Sequence, residues 1–553
     1  MSRLFYLQVV KSIYLSTLAR SQHKVLIELE PHRGTIYDRN MYRLAFNVRV
    51  DSVFAVPREM DEKDKPYIAE KLASALNENI NLIRRRLSRD KAFVWIKRKI
   101  SSGESEKIKA LGLKGIDLIK ESKRVYPNGS LASHIIGFAG LDNSGLEGLE
   151  LTQDKYLKGK SGFRLTNRDA KRRSLSSKDE KFLAPVNGFS LILNVDETIQ
   201  SIAEQSLSEA FKKYHAKGAS IVVMSPRTGE ILALANKPAY DPNSFFDSGA
   251  DAHRNRVVTD SFEPGSVFKV ITASCALETG TVDFQDKFFC ENGKYFIAGH
   301  ILHDHKPHGT LTFREIIEKS SNIGTVKVAQ KLKESDFYNY IRGFGFGSET
   351  GIDLLGEIGG VVYPPSKWSR TTISALPMGQ EVTVTAIQLA GALSVIANGG
   401  NLIKPWVLRE IRDERGETIL KFEPRVIRRV ISEETARKMR GLLKGVVERG
   451  TGTLAKLESY TAGGKTGTAQ KIEPTGGYSH SKFVASFIGF APAADPRIVI
   501  VVCMDEPRPV YYGGVVSAPV FKKVAEDTLR YLGVPPDVEK KDSIKVVLGA
   551  PED

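Results

Sequence analysis

The sequence predicts an α+β multidomain protein, built around a five-stranded antiparallel sheet that helices cover and a helical lobe flanks. Three observations predict it. The chain is 553 residues long, more than one ordinary hydrophobic core organises, so two or three domains are expected. The apolar runs "ASIVVMS" and "EILALA" are joined by Pro226, Arg227, Thr228 and Gly229, which is hairpin-turn chemistry. Three further runs, "TAGGKTGTAQK", "FVASFIGFA" and "RIVIVVCMD", are again separated by turn residues. Short connections between successive strands imply an antiparallel meander, and near-continuous apolar character implies that both faces are covered.

The elements follow in chain order. "RLFYLQVVKSIYLSTLAR" (Arg3 to Arg20) holds an apolar run from Leu4 to Val10 broken by Lys11, far short of the ~20 residues of a membrane span. Nothing like a small-residue cleavage site follows a full apolar core, so it is no ordinary signal peptide; it reads as an amphipathic helix. To about residue 190, strand-like runs such as "VLIELE" and "SVFAVP" mix with charged stretches read as helical, notably "NLIRRRLSRDKAFVWIKRKI". "NRDAKRRSLSSKDEK" (Asn167 to Lys181) has almost no apolar residues and reads as an exposed loop or linker, with a domain boundary just after it. A helix from about Asp196 to Tyr214 and "APVFKKVAEDTLRYLG" after the last strand are the covering helices. The region from about 262 to 450 is expected to be mainly helical and to sit beside the sheet.

Lys plus Arg number 80 against 65 Asp plus Glu, a net charge of +15. Such a surface suits an anionic membrane face, a phosphorylated lipid or nucleic acid. No zinc-binding spacing or RNA-binding signature accompanies the charge, so nucleic acid is discounted. Cys275, Cys290 and Cys503 are an odd number without a C-x-x-C, so they imply no disulfide framework.

"SFEPGSVFKVITASCALETG" (Ser261 to Gly280) places Ser266 three residues before Lys269, at the start of an apolar helical stripe. Positions i and i+3 share a helix face, so hydroxyl and amine can meet. "EKSSNIGTVKVAQKL" places Ser320 and Asn322 as S-x-N just before a helix. "AGGKTGTAQK" places Lys465, Thr466, Gly467 and Thr468 as K-T-G-T on a strand. Each alone is weak; the three in this order, each on its expected helix, loop or strand, are a strong signal.

The chemistry gives each residue a reason. An alcohol is a poor nucleophile until a base takes its proton. Lysine serves only when neutral, which requires lowering its pKa from ~10.4 toward ~7, roughly 4 to 5 kcal/mol of differential solvation and charge. Burial near a second cation, Lys465, supplies that. Ser320 relays a proton between Lys269 and a leaving amine, and Asn322 holds a substrate amide. Lys465, Thr466 and Thr468 suit a carboxylate, and Gly467 lets substrate backbone approach the strand closely. The N–H groups of Ser266 and Thr468 form an oxyanion hole.

With these stretches the chain resembles a class B penicillin-binding protein, the monofunctional D,D-transpeptidase that crosslinks peptidoglycan. "HRGTIYDRN" (His32 to Asn40) resembles the R-G-x-x-x-D-R signature of the family's N-terminal pedestal, and "GFAGLDNSGLEGLE" is similar to the cell-division and spore-division branch. "NRVVTDSFEPGSVFK" and "ASFIGFAPAADPRIVIVVCMDEP" complete the pattern. The resemblance implies a juxtamembrane stub at 1–24, an N-terminal pedestal or dimerisation-type domain at 25–188, a transpeptidase domain at 189–536 and a C-terminal tail at 537–553. It implies catalytic roles for Ser266, Lys269, Ser320, Asn322 and Lys465, substrate binding by Thr466, Gly467 and Thr468, and no cofactor. The partners implied are peptidoglycan stem peptides, β-lactam antibiotics, and a glycosyltransferase or polymerase with division-complex proteins in trans. Family members carry a membrane-spanning helix just before a stretch like "RLFYLQVVK", which implies the bacterial cytoplasmic membrane with the catalytic domain on its extracytoplasmic side. Hydrolysis of the same acyl-enzyme, as in a D,D-carboxypeptidase or serine β-lactamase, and an elongation-branch role are the alternatives.

Other conspicuous stretches read as structure. In "GHILHDHKPHG", His300, His303, His305 and His308 lie close together, but Gly299, Pro307 and Gly309 mark a loop and no metal is expected. Arg33, Asp38 and Arg39 are expected in a buried ion-pair and turn element, "GLEGLE" at the pedestal and its junction, Cys290 as a packed residue, and Arg84 to Arg86 on a solvated face.

Overall fold

The computed structural model describes residues 5, 6, 11, 24–168, 174, 175, 181–473 and 476–538. The amphipathic helix expected at the N-terminus and nearly all of the C-terminal tail lie outside the described residues. In the N-terminal part, the long strand Arg43–Ala55 pairs antiparallel with Val94–Ile100 and with Ile116–Val125. The helices Lys65–Leu76, Ile80–Leu87 and Ser102–Leu111 close over it around Val53, Leu72, Leu76, Ile83 and Ile96. The stretch Asn81 to Ile100 is thus not one helix. Its second half, rich in aromatic and β-branched residues, is a strand that buries Val94 and Ile96 at alternate positions, the period of a half-buried strand.

The basic segment Asn167 to Lys181 is also more regular at its ends than a linker. Asn167 and Arg168 finish the strand Gly162–Arg168, and Lys181 opens Lys181–Leu183, which pairs with it. Nor does the chain part cleanly near residue 188. Ile36–Tyr37 runs parallel to Ser190–Leu193, which pairs antiparallel with Leu408–Arg412, so one seven-stranded sheet passes from the N-terminal part into the C-terminal part.

At the base of that sheet the two sequence signatures "HRGTIYDRN" and "GLEGLE" meet. The Glu150 carboxylate accepts from Arg33 Nε at 2.6 Å and from Arg124 Nε at 2.6 Å. All three side chains are almost wholly buried. Asp38 accepts from the amides of Asn40, Tyr42 and Glu197, so the expected ion-pair and turn element is present.

The C-terminal part opens with helix α1 (Glu197–Lys213), capped by Asp196. Strands β1 (Gly218–Met224) and β2 (Ile231–Lys237) form the first hairpin. After it come helices α2 (Lys269–Glu278), α3 (Asn322–Ala329), α4 (Ala386–Ala397) and α5 (Glu433–Arg449). Strands β3 (Gly463–Ile472), β4 (Tyr478–Ala491) and β5 (Ile498–Asp505) follow, then helix α6 (Ala518–Tyr531). The sheet order is β2-β1-β5-β4-β3, all antiparallel. It is five-stranded as expected, but it is not a single meander: β3 to β5 meander, and β5 then docks against β1 of a separate hairpin.

Side chains of alternate residues enter two cores. Ile221, Val223, Phe487, Val502 and Phe521 pack behind the sheet with α1 and α6. Val222, Ile488 and Val501 pack in front, with Phe268, Leu393 and Leu442 of the helical lobe. Every residue of α4 is buried, as its uniformly apolar circumference requires. The lobe is mainly helical as expected and also carries short hairpins, including Lys294–Ile297 with His300–His303.

Candidate active site

Three elements converge in front of β3, the edge strand of the five-stranded sheet. The first is the turn Gly265–Phe268, a 3₁₀ turn leading directly into α2. Gly265 sits at φ +56°, and a side chain there would press on Thr468 and Ala469 of β3; glycine at this point lets the turn lie flat on the strand. Ser266 follows, half-buried at the rim, while Lys269, one turn on, is wholly buried.

The second element is the turn before α3. Ser320 has φ +59°, a left-handed conformation that is uncommon and strained for a serine. Lys269 Nζ donates to Ser320 O at 2.7 Å, to Ser320 Oγ at 3.3 Å and to Asn322 Oδ1 at 2.7 Å. Ser266 Oγ is not among its partners, so the direct serine-lysine contact expected from the i, i+3 spacing is replaced by contacts to the S-x-N turn. Ser266 lies in a 3₁₀ turn and Lys269 begins the α-helix, and the three hydrogen bonds of Lys269 Nζ all go to the S-x-N turn.

The third element is β3. Lys465 Nζ donates to Ser320 Oγ at 2.9 Å and to the Thr466 carbonyl at 3.2 Å. Ser320 Oγ therefore lies between two buried amines. Thr466 Oγ1 pairs with Thr451 Oγ1 at 2.9 Å, and Thr468 Oγ1 accepts from Gly513 N at 3.1 Å. Gly467 leaves no spare room. A side chain there would meet Val267 Cγ1 at 2.9 Å and the Pro264 carbonyl at 3.0 Å, so the close approach that this glycine permits is that of the turn carrying Ser266. Phe483 of β4 stacks on Tyr511 at 4.0 Å, and Tyr512 lies against His305 at 5.4 Å.

Burial governs the electrostatics. It lowers Lys269 to about 7, against an opposing pull from the negative charge of Asp304. It lowers Lys465 well below the ordinary lysine range, and the Lys269 cation pushes it further the same way. Loss of water is the main cause at both amines, and repulsion between the two buried cations acts in the same direction.

One residue of this site was not singled out in the sequence. Asp304 Oδ1 accepts from Asn322 N at 2.5 Å and Ile323 N at 3.0 Å, and Oδ2 accepts from Ser321 Oγ at 2.7 Å. It belongs to the "HD" of the histidine-rich stretch, where neighbouring imidazoles are the louder signal. Among the described residues no group of three or more His, Cys, Asp or Glu side chains is placed to hold a metal ion. Cys290 is buried, with its thiol 3.6 Å from Ser321 Oγ.

The family description "Penicillin binding protein transpeptidase domain" matches residues 219–526, and "Penicillin-binding Protein dimerisation domain" matches residues 28–193. The chain belongs to the class B penicillin-binding proteins. Stage V sporulation protein D of Bacillus subtilis is 38% identical over 98% of this chain and 85% of its own length. Peptidoglycan D,D-transpeptidase FtsI of Escherichia coli is 32% identical over 97% of this chain and 90% of its own. Among solved structures, penicillin binding protein 3 of Mycobacterium tuberculosis complexed with ampicillin superposes with a TM-score of 0.73 at 29% identity, covering 93% of this chain and 98% of that one. The family resemblance of the motifs and the two-part architecture with its antiparallel sheet are thereby borne out. In this penicillin-binding protein, the residues of the S-x-x-K, S-x-N and K-T-G-T motifs lie on the three converging elements.

Proposed function

We propose that this chain crosslinks peptidoglycan by D-Ala-D-Ala transpeptidation through an acyl-enzyme on Ser266, in septal wall synthesis. The observation that carries the reading is the hydrogen-bonded run Lys269–Ser320–Lys465 behind the half-buried Ser266, with Lys269 lowered to about 7. A charged Lys269 uses its three N–H groups on three acceptors. When it loses a proton, one acceptor is released and a lone pair becomes available to Ser266. Ser266 Oγ then attacks the carbonyl of the terminal amide and its proton passes to Lys269. The C–N bond breaks, and D-Ala leaves with a proton delivered through Ser320. An amine of a second stem attacks the ester, and Ser266 recovers its proton.

Asn322 and Thr468 hold the donor peptide, Lys465 and Thr466 favour its carboxylate, and the amides of Ser266 and Thr468 receive the oxyanion. A bound carboxylate would favour the charged form of Lys465, which burial disfavours. The septal assignment rests on the resemblance of "GFAGLDNSGLEGLE" to the cell-division and spore-division branch, with a sporulation protein among the similar chains. Covalent inhibition by β-lactams, a polymerase partner in trans and an extracytoplasmic site at the bacterial membrane belong to the same reading. Among the described residues no helix is long and apolar enough to cross a membrane.

Intact-protein mass after mixing with a penicillin, followed over hours, tests the reading. The expected result is a stable adduct that maps to Ser266, is absent in Ser266→Ala and forms slowly in a folded Lys269→Ala. An adduct that forms and vanishes as penicillin is consumed identifies a hydrolase, and an adduct surviving in Ser266→Ala removes the nucleophile assignment.

A further inference from the structure

The S-x-N turn is held from outside its own sequence. The hairpin Lys294–Ile297 with His300–His303 delivers two consecutive residues to it. The His303 carbonyl accepts from Asn322 Nδ2 at 2.9 Å. Asp304 takes the amides of Asn322 and Ile323 on one oxygen and the Ser321 hydroxyl on the other. Ser321 Oγ in turn accepts from Gly324 N at 3.0 Å. Asn322 is therefore clamped at both its backbone and its side-chain amide, which leaves Oδ1 aimed at Lys269 Nζ, 2.7 Å away.

Two costs at this turn need an external partner. Ser320 at φ +59° is a conformation that a serine adopts only when its surroundings impose it. The first amides of α3 have no partners within the helix, and a carboxylate satisfies them better than any neutral cap, because it also meets the positive end of the helix dipole. Asp304 does both. Its charge also enters the balance at Lys269, which is wholly buried. The other charged group acting there is Lys465 of β3. Ser320 and Asn322, which receive the Lys269 hydrogen bonds, are neutral. His303 and His305 flank Asp304 with exposed side chains, where water screens them.

We propose that Asp304 is a positioning residue for the acylation step: it fixes the Ser320–Asn322 turn against Lys269 and supplies the negative charge that acts on that amine. The proposal rests on the reading of Lys269 as the base. It separates two effects that are experimentally distinct. Geometry sets the plateau rate of acylation, because a displaced Ser320 or Asn322 misplaces the proton path. Charge sets the pH at which the base becomes available. Asp304 favours the protonated amine, so removing its charge moves the acidic limb of the rate profile to lower pH.

The experiment is the second-order rate of labelling by a fluorescent penicillin between pH 5 and 9, for wild type, Asp304→Asn and Asp304→Ala, with Ser266→Ala as baseline. Asp304→Asn keeps the shape and offers one oxygen to the two amides and one N–H to Ser321. Its acidic limb is expected about one pH unit lower than wild type, with the plateau nearly unchanged. Asp304→Ala is expected to lose roughly 10- to 100-fold at the plateau. Each limb is normalised to its own plateau, so partial unfolding of a variant does not move it. A limb for Asp304→Asn that coincides with wild type or moves to higher pH overturns the charge role, and an undiminished plateau in Asp304→Ala overturns the positioning role. Labelling that persists in Ser266→Ala strikes instead at the reading beneath both.

Discussion

At the scale of single residues the site is a problem in keeping two amines dry. Lys269 and Lys465 are both wholly buried and share one hydroxyl, Ser320 Oγ. The folded pKa of Lys269 lies below its unfolded value, so between about 7 and 10.5 the unfolded chain binds the extra proton. Stability from this group therefore rises with pH across that window and is lowest below 7, where the net penalty is on the order of 5 kcal/mol. The same sign governs the chemistry. Acylation of the wild-type chain by a penicillin is expected to rise with pH, reach half its plateau near pH 7 and stay flat to about pH 9; a profile flat down to pH 5 would show that no buried amine needs to lose a proton. Residue types and order made Ser266, Lys269, Ser320, Asn322 and Lys465 legible in the sequence. Asp304 was not, because its worth depends on a hairpin delivering it to helix amides 18 and 19 residues further along. The contact partners of Lys269 were not legible either, because Ser320 and Asn322 reach it from a turn more than 50 residues further along.

At the scale of elements, strands with continuous apolar runs and turn residues between them announced the sheet, and amphipathic helices on either side announced its cover. What the sequence could not order was the docking of β5 beside β1, a pairing between strands almost 300 residues apart that local pattern does not encode. It also left Val94–Ile100 inside a helical reading, because a basic run masks the alternation of Val94, Trp95 and Ile96 until burial is seen. The contact most sensitive to change is between β3 and the turn carrying Ser266. Gly467 faces Ser486, Val267 and the Pro264 carbonyl, and Gly513 would strike the Gly467 carbonyl if it bore a side chain. Gly467→Val is expected to cost about 1–3 kcal/mol by overpacking and to cut acylation at least tenfold by lifting the turn off the strand. Urea unfolding and penicillin labelling on the same preparation check it. A variant with lowered stability but undiminished labelling would mean that the turn and strand need not stay in register for chemistry.

At the scale of the whole molecule, the N-terminal and C-terminal parts are joined by backbone pairing as well as by side chains. The strand Ser190–Leu193 is shared between Ile36–Tyr37 and Leu408–Arg412. The N-terminal signatures "HRGTIYDRN" and "GLEGLE" were visible as motifs, yet that they are two halves of one ion cluster became apparent only when Arg33 and Arg124 were found on opposite oxygens of Glu150. Tyr126 OH also donates to that carboxylate at 3.2 Å. With Glu150 gone, Arg124 would keep only neutral acceptors, the Gly34 carbonyl and Asn47 Oδ1, and Arg33 would keep Asp154 as its one acidic partner. Stranding buried charge in this way costs about 3–5 kcal/mol, whatever the net worth of the intact cluster. Glu150→Ala is therefore expected to lower the unfolding temperature on the order of 10 °C, with Glu150→Gln intermediate because it keeps one acceptor. Both variants should label with a fluorescent penicillin at 25 °C within about twofold of wild type, since neither Arg33 nor Arg124 touches the converging elements of the site and surviving native molecules keep those elements in place. Differential scanning calorimetry and labelling together decide it. A normal melting temperature with lost labelling would mean that this cluster governs the catalytic part through the shared sheet, and a lowered melting temperature with normal labelling would mean that it serves to hold the N-terminal part together.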